Sequence, residues 1–156
     1  MEQKQITIEY QEWCSIEELN DSDKMLAEMA IHATTSSWAP YSKFNVGAAV
    51  LMGNGEIVTG SNQENVASPS GLCAERVAIF AAHHKFPQER IDTIAIAAKE
   101  DGKLTPFFVY PCSACVQVMA QSQIRGGKPI RIIVVSATKI QIIPSVSHLA
   151  PFSFGK

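Results

Sequence analysis

The stretch from Ile91 to Ala98 constrains the fold more than any other part of the chain. It reads as an apolar run of strand length, the pattern of a central strand covered on both faces. Ile130 to Ser136 repeats that pattern, so the sheet they build needs helices above and below it. Around these runs the periodicity alternates. Met25, Leu26, Met29, Ala30 and Ala33 recur at helical spacing through about Ser36, and both methionines read as core filler. Ser15 with Glu18 resembles a capping box, and Ser22 offers a second helix start. Ala39-Pro40-Tyr41-Ser42 breaks the helix. Strands follow at Phe44–Met52 and Glu56–Gln63, joined by Gly53-Asn54-Gly55, residues that accept the positive φ of a hairpin turn. A helix from near Cys73 to about His84, a short strand at Phe107–Tyr110, a helix after Cys112 to about Gln123 and an edge strand at Ile140–Ile143 complete the pattern. Ile6, Ile8 and Tyr10 alternate with polar residues, as in a short half-buried strand or an N-terminal extension over residues 1–20. The expectation is a three-layer α/β/α sandwich with a mixed, mostly five-stranded sheet, as one domain over residues 1–156.

Composition narrows the class. Of 156 residues, 46% are hydrophobic and 18% charged, which suits a soluble globular domain and excludes a disordered one. The formal charge of −2 provides no general field for phosphates and argues against a nucleic-acid partner. Arg125, Lys128, Arg131 and Lys139 form the only basic concentration and read as solvated ends of a helix and a strand. The N-terminus has no apolar signal-peptide core and no segment has the length of a membrane span, so a cytoplasmic setting is expected. Four cysteines are too few for a disulfide scaffold.

Three of those cysteines stand at predicted helix starts. Cys73-Ala74-Glu75 opens one helix and Pro111-Cys112-Ser113-Ala114-Cys115 another. A helix N-terminus stabilises thiolate through its free N–H groups and dipole, and a Cys-x-x-Cys pair lets two sulfurs reach one metal. Cys73 can supply the third if the two N-termini converge. Zinc suits such soft ligands, and three rather than four of them leave a coordination position open for water. Cys14 lies far upstream without a ligand pattern. His32, His83, His84 and His148 lack ligand spacing and read as non-ligands. Glu75, two residues after a ligand, is placed to move protons for a metal-activated water. Three zinc ligands, a non-ligating Glu and a Pro-Cys-x-x-Cys element together resemble the kit of zinc-dependent deaminases.

From about Tyr41 to the C-terminus the chain resembles the small homotetrameric cytidine deaminases. Tyr41-Ser42-Lys43-Phe44-Asn45-Val46-Gly47-Ala48-Ala49 looks like that family's Y-S-x-F-x-V-G-A-A strand, and Gly60 to Asn65 resembles its G-x-N-x-E-N element. Cys73-Ala74-Glu75-Arg76 matches C-A-E-R, and Leu149 to Phe154 looks like its C-terminal L-x-P-x-x-F. The resemblance implies one Zn²⁺ per subunit and conversion of cytidine and 2′-deoxycytidine to uridine and 2′-deoxyuridine with loss of ammonia, a reaction of pyrimidine salvage. Water adds at C4 while Glu75 takes its proton, protonates N3 and passes a proton to the departing amine. The same resemblance implies that Asn62 and Glu64 bind the ribose hydroxyl, that Phe44 packs near the nucleoside, and that backbone groups near Ala74 and Tyr110 hold the base edge. Phe154 is implied to reach a neighbouring subunit's site in a homotetramer with shared active sites. Arg76 is implied to hydrogen-bond a zinc thiolate and withdraw its excess charge.

Three positions depart from the family pattern. Val116 replaces an Arg after the last zinc cysteine, Ser68 an aromatic after the N-x-E-N-A element, and Tyr110 the Ser that often precedes Pro-Cys. Three other readings compete: a deaminase of a related aminopyrimidine nucleoside such as an antibiotic, a nucleic-acid deaminase, and a non-enzymatic zinc-stabilised binding module.

Overall fold

A computed structural model describes residues 1–155. The elements in chain order are β1 (Gln11–Trp13), α1 (Asp21–Ala33), β2 (Phe44–Met52), β3 (Ile57–Ser61), α2 (Ala74–Lys85), β4 (Ile91–Glu100), β5 (Lys103–Leu104), α3 (Ser113–Gly126), β6 (Arg131–Val135) and β7 (Ile140–Ile143). The strands form one mixed sheet in the order β1-β7-β6-β4-β2-β3, with β5 paired to β4. Only β4 and β6 run parallel, linked by the crossover through α3; the other pairings are antiparallel. The strands expected at 44–52, 56–63, 91–98, 130–136 and 140–143 are there as β2, β3, β4, β6 and β7; the one expected at Phe107–Tyr110 is not, and two short ones, β1 and β5, bring the sheet to seven.

Alternation along the central strands explains the layers. On one face Ile94, Ile96, Val50, Met52, Ile132 and Val134 pack with Ala78, Ile79 and Ala82 of α2 and Met119 of α3. Each fully buried aliphatic there contributes about 1.5–3 kcal/mol of transfer free energy. On the other face Ala49, Ala95 and Ala97 meet Leu26, Ala27 and Ala30 of α1. Small residues on both sides let α1 lie very close to the sheet. At Gly47 a Cβ would come within 2.2 Å of the Ala30 carbonyl oxygen, so no side chain fits. Gly60 of β3 permits the same approach by α2, since a Cβ there would meet the Ala78 nitrogen at 2.5 Å and the Ala74 oxygen at 2.8 Å. Both glycines belong to the motifs that carry the family resemblance, and both act by setting helix depth.

The boundaries differ from expectation in ways that local chemistry explains. Asn20, rather than Ser15 or Ser22, caps α1: its side chain accepts from Asp23 N–H at 3.0 Å. Ser15 caps only a single 3₁₀ turn, Ile16–Glu18. The helical pattern stops at Ala33 and continues as a 3₁₀ turn, Thr34–Ser36. Met25 is exposed and fills no core. Ile6, Ile8 and Tyr10 are exposed outside any strand, and the pairing segment is Gln11–Trp13, against β7. That pairing removes β7 from the edge, and all four of its residues are buried. Phe107–Tyr110 is irregular; the pairing there falls instead on Lys103–Leu104.

Lys128 is exposed as expected, but the other three basic residues have partners. Arg131 makes a two-pronged pair with the buried Asp23 of α1, at 2.9 and 2.7 Å. Lys139 binds Glu12 at 3.0 Å, and Arg125 donates to the Pro87 carbonyl oxygen. No described helix is long and apolar enough to cross a membrane.

Candidate active site

The two Cys-bearing helix starts converge. Cys73 is the N-cap residue of α2, Cys112 the N-cap residue of α3, and Cys115 lies in the first turn of α3. Cys73 Sγ stands 3.8 Å from Cys112 Sγ, and Cys112 Sγ 3.5 Å from Cys115 Sγ. All three sulfurs lie within 4.8 Å of one another. A tetrahedral ion with Zn–S bonds of about 2.3 Å separates its sulfurs by about 3.8 Å, so the cluster fits zinc. Among the described residues no fourth Cys, His, Asp or Glu joins it, and one coordination position stays available. Cys14 is exposed on the N-terminal segment. His83 contacts Ser122 at 3.1 Å between α2 and α3, away from the sulfurs.

The electrostatics favour thiolate at Cys73. Hydrogen bonding from Cys115, aided by Arg76 and Cys112 and opposed by burial, holds its thiol down at about 5. Arg76 Nη2 donates to Cys73 Sγ at 3.6 Å. Cys115 is pushed the other way by its hydrogen bond to Cys73 and by burial, so Cys73 carries the negative charge first. Glu75 is only 4% exposed. Burial pushes its carboxyl up, and the neighbouring Cys73 charge adds to this. A carboxyl raised in this way is suited to exchanging protons rather than to remaining a fixed anion.

A cavity of about 460 Å³ opens beside Cys73 and Arg76, with Asn62, Glu64 and Ser68 on its wall. Three chain segments are laced together to build that wall. Gln63 bridges Trp38 on one side and Leu72 on the other, which fixes residues 62–64 against the segment leading into Cys73. The Asn62 side chain accepts from Val46 N–H at 2.8 Å and donates to the Phe44 carbonyl oxygen at 2.9 Å. Glu64 Oε2 accepts from the Tyr41 and Ser42 amides at 2.9 and 3.3 Å. Hydrogen bonds from Ser42 and then from the Tyr41 amide hold this carboxyl below its ordinary value. Glu64 is thus an oriented anion on the cavity wall.

Cys73, Arg76, Asn62 and Glu64 therefore share one cavity. Phe44, Ala74 and Phe154 are not on its wall. Phe44 is half-buried on β2, Ala74 is fully buried, and Phe154 is 87% exposed on the tail, where Gln117 donates to its carbonyl oxygen at 2.7 Å. Sequence reading names the backbone near Tyr110 but not Gln141, which accepts from the Tyr110 hydroxyl, or Glu12 behind it; the backbone of Phe108–Tyr110 is not on the cavity wall. Among the described residues that backbone makes no hydrogen bond. Its free N–H and C=O groups explain why a run with strand composition forms no strand.

Residues 20–127 match the sequence model of the cytidine and deoxycytidylate deaminase zinc-binding region. The chain belongs to this deaminase family. It is 44% identical over 98 residues to a cytidine deaminase of Halalkalibacterium halodurans, spanning 63% of this chain and 70% of that relative. With a cytidine deaminase of Mycobacterium tuberculosis the identity is 36% over 108 residues, 69% of this chain and 74% of the relative. The solved cytidine deaminase of Burkholderia pseudomallei superposes with a TM-score of 0.68 at 32% identity, over 83% of this chain and 97% of that one. The zinc-binding deaminase architecture thus agrees with the sulfur cluster at the two helix starts.

Proposed function

We propose that this deaminase converts cytidine and 2′-deoxycytidine to uridine and 2′-deoxyuridine with release of ammonia, in pyrimidine salvage in the cytoplasm. The observation that carries the reading is the three-sulfur cluster, with the buried Glu75 two residues from Cys73 and with Cys73 itself on the wall of a cavity that holds the oriented Glu64 carboxylate. Cys73, Cys112 and Cys115 would hold zinc, which when bound would supply the Lewis acidity that makes water a nucleophile near neutral pH. Glu75 takes a proton as water adds to C4, delivers it to N3, and then carries the second water proton to the departing amine. Water enters and ammonia leaves, so the sum is hydrolysis.

The remaining residues bind and orient. Glu64 accepts from a ribose hydroxyl through the oxygen that Tyr41 and Ser42 leave free, and Asn62 donates its second amide hydrogen beside it. Open backbone groups at Phe108–Tyr110 face the base edge. Arg76 draws charge from the Cys73 thiolate, which offsets the net charge of about −1 that three thiolates give the metal site. Exposed apolar residues near the cavity mouth (Trp38, Tyr41, Val66 and Leu72) and on the tail (Phe152 and Phe154) support burial against further copies of the chain, as in a homotetramer with shared sites. The balanced charge of −2 supports a free nucleoside over a nucleic-acid substrate.

The test is a metal assay combined with the ultraviolet change on adding cytidine, deoxycytidine or free cytosine. Glu75→Gln should keep zinc and fold while losing at least about 10²-fold in kcat. Full activity in that variant removes Glu75 from its role, and preference for free cytosine removes the nucleoside assignment. Sedimentation checks the tetramer.

A further inference from the structure

Tyr110 departs from its family's usual serine, and its hydroxyl donates to Gln141 Oε1 at 2.6 Å. Gln141 is a buried polar residue on β7, directly opposite Glu12 of β1 in the strand register. Its Nε2 donates to Glu12 Oε1 at 3.4 Å, while Lys139 Nζ donates to Glu12 Oε2 at 3.0 Å. Glu12 and Gln141 both lie outside the family match of residues 20–127. The polar chain therefore runs from the N-terminal strand, across β7, to the residue just before Pro111 and Cys112.

What this chain reaches is a segment whose Phe108 side chain packs against the core but whose backbone is otherwise unbonded. Its upstream end is fixed at Thr105, whose amide donates to the Ala98 oxygen, whose carbonyl accepts from Ala137, and whose hydroxyl donates to the Phe107 oxygen at 2.9 Å. Its downstream end is fixed where Cys112 begins α3. Between them the backbone of Phe108–Tyr110 makes no hydrogen bond among the described residues. Tilted packing of the Phe108 and Tyr110 rings, 6.1 Å apart, steadies the side chains without fixing carbonyl directions. Groups that recognise a base edge need to be held within about 0.5 Å, and open backbone alone does not achieve that.

We propose that Glu12, Gln141 and the Tyr110 hydroxyl form a positioning relay that fixes the Phe108–Tyr110 backbone for binding the pyrimidine edge. Tyr110 and Gln141 are then positioning residues, and the N-terminal strand tunes substrate affinity from a distance. The inference rests on the nucleoside-deaminase reading for its ligand, but not for its mechanics.

The test uses the full zinc-loaded chain and the variants Tyr110→Phe, Gln141→Leu and their double, with cytidine kinetics and backbone ¹⁵N order parameters measured together. Removing one neutral hydrogen bond should raise KM about fivefold, a larger change than any in kcat. The double variant should be no worse than either single, because all three break the same link. Order parameters at residues 108–110 should fall from about 0.85 toward about 0.6 while α1 keeps its own. Additive losses, or unchanged KM and order parameters in Tyr110→Phe, overturn the relay. If the wild type does not turn over cytidine, the functional reading fails. The order-parameter comparison still decides the relay, since unchanged values at 108–110 refute it.

Discussion

Substituting Gly60 by Ala tests whether helix depth sets the chemistry. The added Cβ would meet the Ala78 nitrogen at 2.5 Å and the Ala74 oxygen at 2.8 Å, both backbone atoms of α2. To restore ordinary contact the helix must retreat by about 0.9 Å, because neither atom can rotate away. Overpacking of this kind costs about 1–3 kcal/mol. For a chain of this size that lowers Tm by about 2–10 °C. The consequence for catalysis is larger, because Cys73 and Glu75 stand at the start of that helix. A misplacement near 1 Å costs about 10²-fold in rate. Gly55→Ala is the control: its φ of +88° imposes strain of about 1–2 kcal/mol, but nothing lies within 4 Å and no helix moves. Melting curves and cytidine turnover of the zinc-loaded variants supply the comparison. A Gly60→Ala protein that loses Tm no more than the control and keeps full kcat would refute the argument that the strand–helix gap sets the site.

Two further outcomes follow from the geometry. Cys112→Ala should abolish tight zinc binding along with turnover, because it leaves only two sulfurs of the three-sulfur cluster; metal content after dialysis checks this. Arg131→Met strands the buried Asp23 carboxylate, and with Arg131 itself partly exposed the loss should be about 1–3 kcal/mol by urea denaturation near neutral pH. The sign with pH follows from Asp23, where burial raises the carboxyl but the Arg131 and Asn20 hydrogen bonds and the Arg131 charge outweigh it and leave it lowered. A lowered carboxyl contributes fully above about pH 4 and loses its contribution as pH falls through the folded value. The gap between wild type and Arg131→Met should therefore narrow in acid, and a gap that widens there contradicts the pairing.

The cysteines of the metal-sized cluster were legible because helix starts and Cys-x-x-Cys spacing are local properties, written within five-residue windows, whereas the convergence of the two helix starts is not. The central strands were legible for the same reason, since an apolar run covered on both faces needs no knowledge of its partners. Placement of β7 in the interior was not legible. It depends on Gln11–Trp13 pairing across more than 120 residues of chain, and Ile6, Ile8 and Tyr10 offered a more regular but misleading alternation. Phe107–Tyr110 had strand composition but gains no ladder partner in this topology. Arg131 read as solvated because its partner Asp23 is distant in sequence. The joint wall formed by Asn62, Glu64 and Cys73 depended on bridges at Gln63 that no spacing reveals.

Asn20 closes the start of α1 with an ordinary amide stopper, but α2 and α3 begin with Cys73 and Cys112, and neither side chain makes a capping bond. Serine or aspartate there would secure each coil by about 1 kcal/mol. The protein has given those two places to sulfur, so the ion that unites the thiolates also serves as the seal on both coils. Chelators, oxidants and acid should then fray the same two ends before anything else, and loss of metal and loss of local order become one event.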